Sequence, residues 1–336
     1  MASAGASAKP AASAAAASGS AASAKPAASV PAPNSSGLEA ISEGVLPPDA
    51  FQWDHYVAEQ QGLYAKNGLA VTSTQLGTPA TAAQAVTAGS VNIAAASGDA
   101  FIQAIENGAA ISIVGQDIGD PAFTVITQPS ITSWDQMKGA TVAVSTATDG
   151  AANIFRLMAK AKGLEAQKDY SFVPVGTTPA RYAALKAGQV KAAIMTEALA
   201  IQAQNDGFKA LSRSDEVLPK YTFIVLAVNK AWGQGHKDAV TKYLTSLSQA
   251  VDWLYDPANK QAAINLLKDK AKISDEVAAK TYQVYVEQGQ GRILTKGAKI
   301  DPEGLKNSAD ILQSLGMIKT VAVDQWIDQS YGNAVK

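Results

Sequence analysis

The sequence contains one strand–helix–strand pattern twice, and the two copies lie 99 residues apart, at 76–94 and 175–193. Each copy has a strand end, a Thr-Pro helix start, an Ala-Gly helix stop and a short apolar strand. Four glycine or cap positions recur at this offset: Gly77, Gly89, Ser97 and Gly108 match Gly176, Gly188, Thr196 and Gly207. Strands that alternate with helices indicate a mostly parallel sheet flanked by helices. We therefore predict two α/β lobes of similar topology.

Two β-branched runs, 123–127 and 221–228, predict strands that carry the chain into the second lobe and back. Two extended crossovers would form a hinge, because few residues need absorb the dihedral change. The predicted boundaries are 37–127 for the first part of lobe 1, 128–221 for lobe 2, and 222–336 for the return strand and C-terminal helices. Those helices, expected to support lobe 1, are predicted at 239–255, 257–268, 275–287, 302–315 and 324–331.

Residues 1–36 are nearly all Ala, Ser, Lys, Pro and Gly. Such a segment cannot bury enough apolar surface to offset its ordering entropy, so we predict a disordered linker. An Ala-rich helix is the alternative, but Ser, Pro and Gly interrupt it. The segment lacks the apolar core of a signal peptide. We expect an exported protein whose export signal or lipid-anchor sequence was removed, located in the periplasm or on the outer face of the inner membrane.

The composition excludes several classes of function. A net charge of −1 argues against nucleic-acid binding. No apolar run is long enough to span a membrane. The absence of cysteine excludes disulfides, thiol catalysis and thiolate metal sites. The chain has two histidines and no nucleophile elbow, Walker loop or HExxH motif. We therefore predict a monomer that is not an enzyme and has no catalytic residues, metal site or cofactor.

Ligands of parallel α/β sheets bind beyond the carboxyl ends of the strands, at helix N-termini. The repeat places several loops of this kind at one cleft between the lobes. The candidate ligand-binding residues in these loops are Phe51, Trp53, Asp54, Ser97, Gln116, Thr146, Thr148, Asp149 and Glu197.

Each candidate also has a structural interpretation. Trp53 could stack on a ligand or simply pack against the protein. Asp99 and Asp149 are placed to cap helices. Glu197 directly follows an apolar strand, where a carboxylate needs a partner, so we favour a ligand contact for it.

Three segments resemble a known family: 56–69 is similar to its "YVA…GLF…GL" opening, 86–94 to "L..G.VD.A", and 134–144 to "..DLKGK.V.V". The family is the periplasmic binding proteins for nitrate, sulfonates, taurine and thiamin precursors. The resemblance implies a type II, flytrap-like two-lobed fold, a small-molecule ligand in the cleft, and an ABC transporter permease as partner. The sequence departs from the family pattern at Asn92 and Lys191, where an Asp is usual, and at Asp149, where a helix start often serves an anion.

The predicted cleft loops carry carboxylates but no Lys or Arg, which disfavours a fully anionic ligand. A nitrogen-bearing heteroaromatic could stack on Trp53 or Phe51 and donate to Glu197 and Asp54. The alternative is a sulfonate or an aromatic carboxylate held by hydroxyl groups, with Arg181 entering from outside the loops. A third hypothesis is an enzyme similar to those of menaquinone pathways, which share this fold.

Overall fold

The computed structural model describes residues 37–218 and 220–335, so the linker predicted at 1–36 lies outside the described residues. Two five-stranded sheets form two lobes, with strand orders β2-β1-β3-β10-β4 and β7-β6-β8-β5-β9. The strands are β1 (Glu39–Val45), β2 (Leu69–Gln75), β3 (Ile93–Ser97), β4 (Ile111–Ile118), β5 (Phe123–Thr127), β6 (Ala140–Val144), β7 (Tyr170–Pro174), β8 (Ala192–Thr196), β9 (Lys209–Arg213) and β10 (Ile224–Asn229). The predicted two-lobed α/β architecture is confirmed.

Helices flank both sheets. They are α1 (Trp53–Gln60), α2 (Leu63–Lys66), α3 (Pro79–Thr87), α4 (Gly98–Glu106), α5 (Gly150–Ala161), α6 (Thr178–Lys186), α7 (Glu197–Asn205), α8 (Lys230–Gly235), α9 (Lys237–Tyr255), α10 (Lys260–Ala271), α11 (Asp275–Tyr282), α12 (Pro302–Ser314), α13 (Val323–Trp326) and α14 (Gln329–Gly332). A π-helical turn, Gln283–Gln288, extends α11. Within the described residues, no helix is both long and apolar enough to cross a bilayer.

The repeat explains the matching parts of the two lobes. The bounds of α3, β3 and α4 recur 99 residues later in α6, β8 and α7. Thr78 caps α3 by accepting a hydrogen bond from the backbone of Thr81. Gly89 and Gly188, with φ of +71° and +73°, follow the ends of α3 and α6 and adopt the left-handed conformation that glycine tolerates.

The chain changes sheets about five residues earlier than the sequence predicted. β5 pairs antiparallel with β8 and β9, so it belongs to the second sheet, and the first crossover lies between Ile118 and Phe123. β10 pairs antiparallel with β3 and β4 in the first sheet, as expected for the return strand. Each antiparallel strand is buried between two neighbours, which is why both runs are continuously apolar and β-branched.

The C-terminal helices do not all support lobe 1. Helix α9 packs on α1 and α2 of lobe 1, but α11 packs on α7 of lobe 2. The buried side chain of Val277 in α11 contacts Ala198 and Ile201 in α7. The prediction was incomplete here, because an apolar helix stripe does not specify which surface covers it.

Candidate functional site

A cavity of about 90 Å³ lies between the lobes, at the carboxyl ends of strands from both sheets. We call it the interlobe cavity. Its apolar wall includes Phe51, Phe123 and Phe223, whose ring centroids lie 5.1–5.5 Å apart. Phe51 precedes α1, Phe123 begins β5 and Phe223 precedes β10. The three rings therefore close the wall where the chain crosses between the lobes.

Arg181, in the first turns of α6, supplies the cationic group of the interlobe cavity. Its side chain is 4 % exposed. One guanidinium nitrogen donates to the carbonyl of Gly176 at 3.2 Å and the other to the hydroxyl of Thr178 at 2.6 Å. Among the residues that the structure describes, Nε of Arg181 has no hydrogen-bond partner. This N–H is therefore a buried donor without a hydrogen bond.

Two carboxylates also line the interlobe cavity, Asp149 buried and Asp49 half-buried. Asp49 accepts from the Thr196 hydroxyl at 2.8 Å and from the Phe51 backbone at 3.3 Å. Asp149 caps α5, accepting from the backbone of Ala152 at 2.8 Å. Burial raises the pKa of each carboxyl group, and the positive charge of Arg181 counteracts part of that rise. Both carboxylates thus already have donors and one shared counter-charge.

Ser97 ends β3 and lines the interlobe cavity with a hydroxyl that makes no cap bond to α4. Its Oγ is buried, and no partner for it occurs within residues 37–218 and 220–335. A buried hydroxyl without a partner costs free energy, which a ligand atom could recover. Ser97 and Arg181 are therefore cavity-lining residues that each carry a buried polar atom without a partner among the described residues.

The two lobes touch directly around the interlobe cavity. Thr196 of lobe 2 donates to Asp49 of lobe 1, and on another side Asn153 of lobe 2 donates to Asp99 of lobe 1 at 2.8 Å. Gly150, the first residue of α5, lies so close to Phe223 of the return crossover that an added Cβ would be 2.8 Å from its ring. The two lobes are therefore in direct contact in this structure.

Three of the predicted site residues, Phe51, Ser97 and Asp149, line the interlobe cavity. Their contact with a ligand stays a prediction. Thr146 and Thr148 line a surface groove beside α3 and α4, which Asp149 also lines, and their contact with a ligand likewise stays a prediction.

The other four predicted site residues also lie away from the interlobe cavity: Trp53, Asp54, Gln116 and Glu197. Trp53 is fully buried in lobe 1, where its indole N–H donates to the carbonyl of Ala263 at 3.2 Å. Asp54 is buried beside it on α1, and Gln116 accepts from the Thr222 hydroxyl at 2.9 Å inside lobe 1. Trp53 and Asp54 both lie in α1 and are buried in lobe 1. Gln52, the residue before this helix, is the last residue of the segment that lines the interlobe cavity.

Glu197 has a protein partner rather than a free position in the cleft. Nη1 of Arg213 donates to both of its carboxylate oxygens, at 3.0 and 2.9 Å. The pair lies at a groove between lobe 2 and α11, outside the interlobe cavity. Glu197 thus has the partner that a carboxylate in this position needs, but the sequence could not show that Arg213, on the neighbouring β9, supplies it.

Sequence reasoning missed Asp49 and gave Arg181 only as an alternative. A signal existed for both: Asp49 follows two prolines after β1, and Arg181 lies three residues after the Thr178 start of α6. Each therefore occupies a loop or helix start at the carboxyl edge of a sheet, where ligands bind.

We expect Asp99 to make the stability of the protein depend on pH. Burial raises its pKa to about 6, although hydrogen bonds from Asn153 and Tyr221 act in the opposite direction. The folded state therefore binds more protons than the unfolded state between pH 4 and 6, roughly. Through Asp99 alone, the free energy of unfolding should fall by up to about 3 kcal/mol as the pH rises through this window.

Urea unfolding of the wild type and of Asp99→Asn, measured from acidic to neutral pH, tests this expectation. The variant should lose most of the decline between pH 4 and 6, about where Asp99 titrates. An unchanged slope in the variant would assign the effect to other carboxyl groups.

Comparisons with known proteins agree with this architecture. The alkanesulfonate-binding protein SsuA from Xanthomonas axonopodis pv. citri superposes with a TM-score of 0.74 and 17% identity, covering 88% of this chain and 100% of its own. The periplasmic nitrate-binding protein NrtA from Synechocystis PCC 6803 superposes with a TM-score of 0.75 and 13% sequence identity, covering 88% of each chain. The desulfurization enzyme DSZB superposes with a TM-score of 0.59 and 15% sequence identity, covering 88% of this chain and 98% of its own.

These likenesses establish the two-lobed periplasmic-binding-protein fold. A comparison with curated protein sequences finds no significant match. A sequence profile described as NMT1/THI5 like matches residues 53–260, which is more than half of the chain and includes both lobes. The chain therefore belongs to the NMT1/THI5-like family.

Proposed function

We propose that this chain is the solute-binding component of an ABC importer and that it encloses a small organic anion in the interlobe cavity. The observation that carries the proposal is the buried Arg181 guanidinium, placed in an otherwise largely apolar cavity between two lobes. The fold and the family support the transport role, since SsuA and NrtA are described as binding proteins. Enclosure between two lobes also suits a carrier, which must hold its solute until it meets the permease.

The ligand we propose has one carboxylate or sulfonate group and a compact apolar or aromatic body. The acidic group would accept from the Arg181 guanidinium and from the Ser97 hydroxyl, two cavity-lining groups that each carry a buried polar atom without a partner among the described residues. The body would pack on Phe51, Phe123 and Phe223, where aromatic contacts are favourable. A charge-assisted hydrogen bond in a desolvated site is roughly twice as strong as a neutral one.

Few residues of the interlobe cavity could recognise a nitrogen-bearing heteroaromatic ligand. Trp53, Asp54 and Glu197, which were to stack on it and accept its N–H groups, all lie outside the interlobe cavity. The remaining carboxylates, Asp49 and Asp149, already accept two hydrogen bonds each. We therefore favour the organic anion that was the alternative in the sequence analysis.

An enzymatic role is the second candidate, because the desulfurization enzyme DSZB has a related fold. Among the residues that the structure describes, the wall of the interlobe cavity contains no His, Cys or Lys. Asp49 and Asp149 are the acid–base groups there, and both are held by backbone or hydroxyl donors. This set suits binding better than proton transfer, so we propose a carrier without turnover.

A thermal-shift screen followed by calorimetry tests the proposal. The probes are benzoate-like carboxylates, short alkanesulfonates, and aminated heteroaromatics of equal size. We expect the anions to raise the Tm and to bind with one molecule per chain. At a free ligand concentration of 100 times Kd, binding should add about 2.7 kcal/mol to the free energy of unfolding. The bound probe should be recovered unchanged. Stabilisation by the amines alone would overturn the ligand class, and conversion of a probe would favour the enzyme.

The remaining expectations concern location and partners. We propose that the protein acts as a monomer in the periplasm or on the outer face of the inner membrane, with any lipid anchor preceding the described residues. Closure around the ligand would create the surface that an ABC permease recognises. Reconstitution with its cognate ABC permease, in liposomes, should give uptake that requires the ligand-loaded form.

A further inference from the structure

A second polar cluster lies inside lobe 1, apart from the interlobe cavity. Asp54 and His55 occupy the first turn of α1, and Asp117 lies near the end of β4. One oxygen or nitrogen atom from each residue lies within 4.8 Å of those of the other two. All three side chains are at most 4 % exposed, and none lines the interlobe cavity.

Asp54 has no partner that explains its burial. Both of its carboxylate oxygens lack hydrogen bonds to any residue that the structure describes, and so does Oδ1 of Asp117. An ionised carboxylate buried without a partner is very costly. Burial and the negative charge of Asp117 raise the pKa of Asp54 to about 7. The cluster therefore has acceptor atoms that a cation would satisfy.

The imidazole of His55 is oriented as in many metal sites. Its Nδ1 lies 3.4 Å from the Glu43 carboxylate, and its Nε2 lies 3.0 Å from Asp117. Glu43 is in turn fixed by the hydroxyl groups of Ser73 and Tyr243. A histidine that binds a metal through one nitrogen commonly donates its other N–H to such a carboxylate.

We propose that Asp54, His55 and Asp117 bind a divalent transition-metal ion, Zn²⁺ by preference, inside lobe 1. Two carboxylate oxygens and one imidazole nitrogen form a donor set that Zn²⁺ accepts, and they leave one tetrahedral position for a small ligand such as water. The sequence analysis predicted no metal site, because the two adjacent α1 residues and Asp117 form no recognised spacing motif.

The position of the cluster indicates what such an ion would do. α1 begins directly after the loop that carries Asp49 and Phe51 into the interlobe cavity. Asp117 lies one residue before the end of β4, where the chain leaves for lobe 2. The ion would therefore tie the cavity loop to the base of the first crossover, and its loss should loosen both.

The competing interpretation needs no metal. A protonated His55 would be held between Glu43 and Asp117, and Asp54 would be a neutral buried acid. This agrees with the pKa of His55, which its carboxylate neighbours raise well above the usual value despite burial. The two interpretations predict opposite effects of Asp54→Asn, because Asn mimics a protonated Asp but is a poor ligand for Zn²⁺.

The test uses the full chain, purified without a metal-affinity tag and refolded with Zn²⁺, Mn²⁺ or Mg²⁺. Elemental analysis should find about one Zn²⁺ per chain, and chelation should lower the Tm by about 5 °C or more. Asp54→Asn should lose the metal and melt like the chelated wild type. Asp99→Asn, another buried carboxylate of lobe 1, is the matched control and should retain the metal.

Two outcomes would overturn the proposal: a refolded wild type without stoichiometric metal, or an Asp54→Asn variant that melts at a higher temperature than the wild type. If Asp54→Asn fails to fold, the wild type loaded with Co²⁺ gives the answer by itself. The visible absorbance of a tetrahedral Co²⁺ complex is expected, and its absence after saturation with Co²⁺ would also exclude the site.

Discussion

Replacing Arg181 with Met is expected to weaken the binding of an aromatic carboxylate or alkanesulfonate about 30-fold or more. Removing one partner of a buried, hydrogen-bonded charge pair typically costs about 2 kcal/mol of binding free energy or more. The variant also leaves Asp49 and Asp149 without their shared counter-charge. Met retains much of the side-chain volume, so the loss reports on the charge. Isothermal titration calorimetry with the best anion from the screen measures it.

Arg213→Met is the matched control for this prediction. Arg213 carries the same charge on the same lobe, but its partner is Glu197 at a groove outside the interlobe cavity. The control should bind the anion with nearly wild-type affinity, provided that its circular dichroism is unchanged. Equal losses in both variants would indicate a general effect of charge on lobe 2, and tighter binding of an aminated heteroaromatic by Arg181→Met would restore the nitrogenous ligand.

Replacing Gly150 with Ala is expected to weaken ligand binding by holding the lobes apart. The added Cβ would lie 2.8 Å from the Phe223 ring and 3.3 Å from Cβ of Ser97. Overpacking of a tight contact costs roughly 1–3 kcal/mol, which corresponds to a loss of affinity of about 5- to 150-fold. The start of α5 should stay intact, because Ala is a better helix former than Gly. Small-angle scattering with saturating ligand should show less compaction than in the wild type.

Gly77→Ala provides the control for Gly150→Ala. Gly77 also lines the interlobe cavity, but an added Cβ there meets no atom within 4 Å. The Gly77→Ala variant should therefore close and bind the ligand with wild-type affinity. Wild-type affinity and compaction in Gly150→Ala would mean that the Phe223 ring moves freely and that this contact does not control closure.

The repeat allowed most of the fold to be predicted. Because side-chain periodicity and cap residues are local properties, the bounds of α3, β3 and α4 and of their counterparts could be placed from the sequence. The edge at which ligands bind followed from the same reasoning, and Phe51, Ser97 and Asp149 do lie at the interlobe cavity. The first crossover was misplaced by about five residues, since a β-branched run does not say which sheet it joins.

The sequence by itself determined the two α/β lobes, the crossover strands and the edge of each sheet that faces the cleft, because these depend on local patterns and chain order. Only the tertiary structure decided which polar side chains face the interlobe cavity. Arg213 and Glu197 are 16 residues apart in the sequence, and His55 and Asp117 are 62 apart. Pairings over such separations depend on how helices rotate against sheets. That rotation placed Arg181 in the cavity and left Asp54 and His55 in the core of lobe 1.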